Sequence, residues 1–188
     1  MKRTISLSTC KWEWSEAVET RLWRPCVCFP TVIHEELLAI KAISYPAIGT
    51  NELDVQWVGE RDWTFRTEFQ SPTDVRSFPS IYLFFGGLDT VATVTLNGKV
   101  ILRADNMFTP YTVDVSLSLK DQDEMNELEI LFESADRVAK ERFAAQHGQR
   151  STAITLGAPS RVYLRKAQYH WGWDWGEIFT VGSISCPC

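Results

Sequence analysis

Apolar and polar side chains alternate along several short segments of the chain from residue 53 onward. A period of two is typical of a β-strand with one buried face. It predicts strands over residues 53–57, 63–67, 111–117 and 128–132. The run SIYLFF at 80–85 lacks alternation, which predicts a strand covered on both faces. Within 111–117 the alternation places four residues on one face: Tyr111, Val113, Val115 and Leu117.

The sequence TVATVTLNGKVIL, residues 90–102, predicts a β-hairpin. Its two β-prone runs are joined by Asn97 and Gly98. Both central positions of a type I′ turn require a positive φ, which Asn and Gly tolerate better than other residues. A last strand is predicted over RVYLRKAQY, residues 161–169, directly before the sequence HWGWDWGE.

Two segments predict helices between these strands. Residues 29–42 predict a strand end followed by a short helix, with Thr31 as its N-cap. Residues 135–147 predict a longer helix, capped by Ser134 and ended by Gly148. Six or more short antiparallel strands with frequent turn signals are typical of a β-sandwich. No repeat or linker divides the chain, so we predict a single all-β domain with one or two inserted helices.

Composition and charge exclude several classes of protein. The 188 residues carry 19 Lys and Arg against 24 Asp and Glu, a net charge of -5, so we expect no nucleic-acid partner. The apolar run Ile81–Phe85 is far shorter than the roughly 20 residues that cross a bilayer, so we expect no membrane span. The basic N-terminus is followed by Glu13 and Glu16 rather than by an apolar core, which predicts an intracellular protein.

Five cysteines include two Cys-x-Cys pairs, Cys26/Cys28 and Cys186/Cys188. Four thiolates can bind zinc, but structural zinc sites usually separate paired cysteines by two to four residues. An odd number of cysteines without a signal sequence instead indicates free thiols in a reducing compartment. We therefore predict no metal and no cofactor.

The aromatic residues are the compositional outlier, because three of the eight tryptophans fall within HWGWDWG, residues 170–176. In a regular strand Trp171, Trp173 and Trp175 would share one side and Asp174 would lie on the other. A turn at the glycines would instead bring Asp174 and an indole to one ligand. An apolar ring beside a hydrogen-bonding carboxylate suits a sugar, whereas the alternative is a Trp-rich core strand with a solvated acid.

Other charged groups offer weaker candidates. Arg165 and Lys166 could pair with Asp174 or bind an anion, although such a pair more often flanks a strand on its solvated face. Glycosidic hydrolysis needs two carboxyl groups about 5 Å apart across the bond, usually from different strands. Three pairs of acids are close in sequence and are more simply explained as surface charge: Asp174/Glu177, Glu35/Glu36 and Glu60/Asp62.

Several stretches of the chain resemble the N-terminal sugar-binding domain of β-mannosidases of glycoside hydrolase family 2. They are FPTVIHEELL (29–38), NELDVQWVGERDWTFRTEF (51–69), GLDTVATVTLNG (87–98), DNMFTPYTVDV (105–115) and RKAQYHWGWDWG (165–176). The resemblance implies a jelly-roll, galactose-binding-like β-sandwich. It also implies a retaining enzyme that removes terminal β-mannose with two glutamates of a following (β/α)8 barrel, to which no part of this chain is similar.

The resemblance also suggests site residues, partners and domain limits. It implies that Trp173 and Asp174, with Trp171, contact mannose, and it assigns no catalytic residue to this chain. The expected partners are a β-mannoside or manno-oligosaccharide and the catalytic barrel. The family pattern places the domain at 1–176, and residues 177–188 depart from it because Glu177 replaces the usual proline. The lack of a signal peptide resembles the intracellular fungal type.

Three functional interpretations follow from these observations. The first is the N-terminal domain of a β-mannosidase, cut before the barrel and inactive alone. The second is a stand-alone carbohydrate-binding module that uses Trp171, Trp173 and Asp174. The third is a compact glycosidase that uses Asp174 and Glu177.

Overall fold

The computed structural model describes residues 3–122, 124–146, 158–173, 176–180 and 183–185. Six antiparallel strands of these residues form the larger sheet: β1 Trp12–Glu16, β2 Arg24–Pro25, β3 Trp63–Gln70, β6 Ala92–Leu96, β7 Lys99–Ala104 and β9 Met125–Phe132. Their order across the sheet is β2-β1-β3-β9-β6-β7. Two antiparallel strand pairs face this sheet: β4 Tyr82–Phe85 with β8 Tyr111–Asp114, and β5 Gly87–Asp89 with β12 Ser183–Ser185.

One hydrophobic core fills the space between these layers. It joins Trp14, Phe65 and Ile130 of the six-stranded sheet to Phe85 and Leu88 of the facing strands. The pairing of β3 with β9 runs from Trp63 opposite Phe132 to Gln70 opposite Met125, without interruption. The predicted all-β sandwich is confirmed, as are the strands at 63–67 and 128–132.

In the described part of the chain, three α-helices lie outside the sheets: α1 Ile33–Ala39, α2 Asn51–Asp54 and α3 Ala135–Ala145. The predicted cap of α3 is confirmed, because the Ser134 hydroxyl accepts a hydrogen bond from the Arg137 N–H at 3.1 Å. The predicted end at Gly148 lies outside the described residues. Thr31 does not cap α1, since its hydroxyl donates to the Glu36 carboxylate at 2.6 Å and the helix begins two residues later.

Two segments predicted as strands are helical. At 53–57 the chain forms α2 and a 3₁₀ turn, Gln56–Val58, because Val55 and Val58 are the buried residues and their spacing of three is helical. Residues 161–169 fall largely in 3₁₀ turns at Pro159–Tyr163 and Gln168–His170. Pro159 favours the first of these turns because its φ is already fixed near the helical value.

Two strand predictions are wrong in their details. Tyr82 and Phe84 are exposed, so β4 is covered on one face only within the described chain. Strand β8 ends at Asp114, and Leu117 is exposed rather than aligned with Val113. The cause is a local turn in which the Asp114 carboxylate accepts hydrogen bonds from both the N–H and the hydroxyl of Ser116.

The turn between β6 and β7 confirms the predicted hairpin. Asn97 and Gly98 have φ values of 53° and 77°, the conformation that a type I′ turn requires. The Asn97 side chain also donates to the Ser118 carbonyl at 2.8 Å and accepts from the Glu127 N–H at 3.0 Å. The turn is therefore anchored to the sheet and does not project freely.

We expect Gly98→Ala to lower the free energy of unfolding by about 1–2 kcal/mol, the cost of a left-handed conformation for a residue with a Cβ. The added Cβ would meet nothing within 4 Å, so backbone strain accounts for the whole effect. Urea denaturation measures the loss. Gly98→Asn is the matched control and should cost less, because asparagine tolerates positive φ.

Candidate functional site

The candidate site is a short hairpin made of β10 Trp171–Trp173 and β11 Gly176–Ile178, which pair antiparallel. Trp171 lies opposite Ile178 and Trp173 opposite Gly176. Gly172 has a φ of 85°, a backbone conformation that residues with a Cβ rarely adopt. The backbone between Trp171 and Trp173 therefore departs from regular strand geometry. Asp174 and Trp175 lie outside the described residues, and the convergence of Asp174 with an indole stays a prediction.

The two described tryptophans of the hairpin have different environments. Trp171 is 3% exposed and packs with Val91, Leu164 and the α3 residues Val138 and Ala139. Its indole N–H is buried and has no hydrogen-bond partner in the described part of the chain. Trp173 is 38% exposed, so its ring is available to a ligand.

A buried ion pair lies at the base of this hairpin. The Lys166 ammonium donates to the Asp89 carboxylate at 2.6 Å, and the side chains of both residues are almost fully buried. The Thr90 hydroxyl donates to the other Asp89 oxygen. Burial lowers the pKa of Lys166, and the charge of Asp89 partly opposes that effect. Each charge therefore compensates the other, because either charge alone would be strongly unfavourable at this depth.

His170 lies beside the same carboxylate. Its Nδ1 is 3.7 Å from an Asp89 oxygen, which is too long for a hydrogen bond. Burial, and then the positive charge of Lys166, lower the pKa of His170, so the ring is neutral near pH 7. The uncharged imidazole leaves Lys166 as the cation that balances Asp89.

The predicted pair Arg165 and Lys166 is therefore divided between two environments. Arg165 is exposed, whereas Lys166 is buried against Asp89, 77 residues earlier in the chain. A solvated pair on a strand face is wrong for Lys166, because the segment is not a strand and its lysine points into the protein. The suggested pairing with Asp174 lies outside the described residues.

The acids that are neighbours in sequence do not form a hydrolytic pair among the described residues. Glu36 is buried and accepts from the Thr31 hydroxyl and the Val27 N–H, which ties the preceding loop to α1. Asp62 accepts two hydrogen bonds from the Arg137 guanidinium and one from the Ser134 N–H. Glu35 and Glu60 are exposed. The side chain of Glu177, like Asp174, lies outside the described part.

The cysteines show no metal site within the described ranges, where no group of three or more His, Cys, Asp and Glu residues is placed to bind an ion. Cys10, Cys26 and Cys28 are free thiols. Burial raises the pKa of Cys26 to about 12, and the nearby Glu36 adds to this effect. A thiol with this pKa stays protonated near pH 7 and is a weak nucleophile. Cys186 and Cys188 lie outside the described residues.

A separate cavity of about 1980 Å³ opens between the N-terminal segment and β4. Its lining includes Leu7, Cys10, Cys26, Tyr82 and Phe85, and it includes neither the ion-pair residues nor any described residue of the hairpin. It is therefore distinct from Trp171 and Trp173. Within the described residues, no helix is both long enough and apolar enough to cross a bilayer.

Sequence reasoning missed Asp89 and His170. Asp89 follows Gly87 and Leu88 in a fully buried strand, and an acid in such a position requires a partner. This requirement could have been recognised in the sequence, but the sequence alone does not say which cation is the partner.

Comparison with known proteins bears on the fold and on the family of this chain. β-Mannosidase B of Aspergillus flavus is 45% identical over 162 residues, which are 86% of this chain and 19% of that protein. β-Mannosidase B of Aspergillus terreus is 42% identical over 176 residues, 92% of this chain and 20% of that protein. The chain thus spans about a fifth of the length of these relatives.

A solved structure and a family profile agree with these relatives. The crystal structure of β-D-mannosidase from Dictyoglomus thermophilum matches 95% of this chain and 21% of its own, with a TM-score of 0.84 and 35% identity. The profile described as glycosyl hydrolase 2 galactose-binding domain-like matches residues 12–184. Fold, family profile and relatives agree, and the chain belongs to the galactose-binding-like N-terminal domains of glycoside hydrolase family 2.

Proposed function

We propose that this domain supplies part of the mannose-binding subsite of a β-mannosidase and performs no hydrolysis by itself. The observation that carries the proposal is the accessible indole of Trp173, held on a hairpin whose other described tryptophan is buried. The relatives that match most of this chain are β-mannosidases, which supports β-mannosides as the substrate class.

The proposed roles of Trp173, Asp174 and Trp171 follow from their side-chain chemistry. The flat face of Trp173 covers the apolar C–H surface of the sugar ring. Asp174 accepts hydrogen bonds from sugar hydroxyls, and Trp171 supports the hairpin from beneath. A site built to accept those hydroxyls rejects a sugar with a different arrangement, because a polar group left unpaired in a buried site costs about 1–3 kcal/mol.

Hydrolysis is assigned to residues outside this chain. A retaining glycosidase needs an acid and a nucleophile about 5 Å apart across the scissile bond. The described acids Glu36 and Asp62 are instead engaged by groups of the fold itself. The two catalytic glutamates belong to the barrel that the family resemblance implies, and this domain completes the pocket around the terminal sugar.

We expect mannose, or a short manno-oligosaccharide, to change the tryptophan fluorescence of the purified chain in a saturable way. Trp173→Ala should weaken this binding about tenfold or more, because the stacking face is lost. Trp23→Ala is the matched control, since this indole lies next to β2 under the Arg66 guanidinium, 4.0 Å from its ring centre. The Trp23→Ala variant should bind mannose with the affinity of the unmodified chain.

Three outcomes would contradict parts of the proposal. Absence of a saturable change up to tens of millimolar sugar would remove the subsite from this chain. Equal loss of affinity in the Trp23 and Trp173 variants would mean that binding does not depend on the hairpin. Turnover of an aryl β-mannoside by the purified chain would show that it holds its own catalytic carboxylates.

A further inference from the structure

We propose that Asp89 is a positioning residue that clamps both ends of the β10–β11 hairpin to the sandwich. The clamp consists of Asp89 in β5, Lys166 before the hairpin and Ser183 after it. It extends the proposed function, because the proposed sugar-binding residue Trp173 depends on where this hairpin is held. The assignment follows from two independent contacts that converge on one residue.

The first contact is the ion pair with Lys166. The 2.6 Å distance joins two side chains that are 0% and 5% exposed, so water competes little for either charge. A charge left alone at this depth is strongly unfavourable, which makes the separation of the two groups costly. Lys166 lies five residues before Trp171, where the hairpin begins. The pair therefore fixes the incoming side of the hairpin.

The second contact is a backbone pairing on the outgoing side. Strand β12 follows the hairpin and runs antiparallel to β5, with Ser183 opposite Asp89 and Ile184 opposite Leu88. The side chain of Asp89 thus holds the chain before the hairpin, while its backbone lies beside the chain after it. Both ends of the hairpin are fixed to one short strand of the sandwich.

Further contacts, one across the base of the hairpin and two with Gln56 and His34, also restrain the segment that bears Trp173. The Phe179 N–H donates to the His170 carbonyl at 3.0 Å, which closes the base of the hairpin. The Gln56 side chain donates to the Ile178 carbonyl at 3.1 Å, and the Phe179 ring packs edge-on against His34. A binding group is useful only when such supporting contacts hold it within about 0.5 Å of its working position.

The test uses the 188-residue chain with Asp89→Asn, Lys166→Met and the double variant. Asparagine keeps the size of Asp89 but removes the negative charge that pairs with Lys166, whereas methionine removes the ammonium that pairs with Asp89. Each single variant should lower the thermal midpoint and the mannose affinity. The double variant removes both charges and should recover most of the midpoint. Its mannose affinity should stay about tenfold or more below that of the unmodified chain.

Hydrogen exchange supplies a readout that does not depend on sugar. In the double variant, amides over residues 167–180 should exchange faster than in the unmodified chain, while amides of β3 and β9 stay unchanged. Glu13→Gln with Arg66→Met is the matched control, because it removes another ion pair, between β1 and β3 of the larger sheet. This control should leave exchange over 167–180 as it was.

The outcomes separate the clamp from the proposed function. If the double variant regains both its midpoint and unmodified exchange over 167–180, the clamp is overturned, whatever happens to sugar binding. If the unmodified chain binds no mannose but the exchange pattern changes as expected, the clamp stands and the sugar subsite fails. If the double variant recovers both its mannose affinity and its thermal midpoint, the ion pair contributes to stability only and does not position the hairpin.

Discussion

Phe65→Ala should lower the free energy of unfolding by about 3–5 kcal/mol, the usual cost of removing a buried phenyl ring. Phe65 is fully buried at the centre of the six-stranded sheet, between Trp14 of β1 and Ile130 of β9. Its ring meets that of Phe132 edge to face, with 6.1 Å between centres. This loss is large compared with the total stability of a typical domain, which is only about 5–15 kcal/mol.

Urea denaturation followed by circular dichroism measures this effect, and the chain offers a matched control. Phe108 is 66% exposed, so the same substitution there removes little buried surface. We expect Phe108→Ala to change stability by less than about 0.5 kcal/mol. Similar losses in the two variants would mean that the core does not lie where the structure places it.

Acidification should destabilise the domain through His34. Burial lowers the pKa of this histidine from 6.5 to about 4. Above pH 6.5 it is neutral in both the folded and the unfolded chain, so its contribution is complete. As the pH falls toward 4, the unfolded chain binds a proton that the folded chain does not, and stability is lost. The loss from this group is about 2 kcal/mol between pH 7 and pH 5.

Urea denaturation at several pH values tests this prediction against His34→Leu. The variant cannot bind the proton, so its stability should fall less steeply over the same range, by about 2 kcal/mol. The comparison concerns the slope rather than the absolute stability, since leucine also changes the contact with Phe179. His170 contributes a slope of the same sign in both proteins. Parallel pH curves for the two chains would refute the assignment to His34.

The sequence predicted those parts of the fold in which local pattern and tertiary environment agree. Strand β9 alternates because one of its faces packs on the core, and Leu128, Ile130 and Phe132 are all buried. The Asn97-Gly98 turn was predictable because few residue pairs adopt its backbone conformation. At 53–57 the same period of two was misleading, because Leu53 is 67% exposed and the core selects Val55 and Val58 instead.

The candidate site was predictable only in part, for a physical reason. The cluster of tryptophans marked the hairpin, but the sequence does not show that Trp171 is buried and Trp173 accessible. That difference depends on the positive φ of Gly172 and on α3, which covers Trp171. Asp89, which pairs with Lys166, lies 77 residues away from it, and no periodic pattern connects residues at that separation.

The anchorage of the hairpin on β5 also has a consequence for the order in which the domain folds. Lys166 and Ser183 reach Asp89 only after the chain has closed loops that are far longer than the turn between β6 and β7. Closing a loop costs more entropy as it lengthens, so long-range contacts form late unless a partner surface already exists. Strand β5 becomes such a surface only within an assembled sandwich. The segment that bears Trp173 is therefore expected to dock last, and to be the first to detach when the domain begins to unfold.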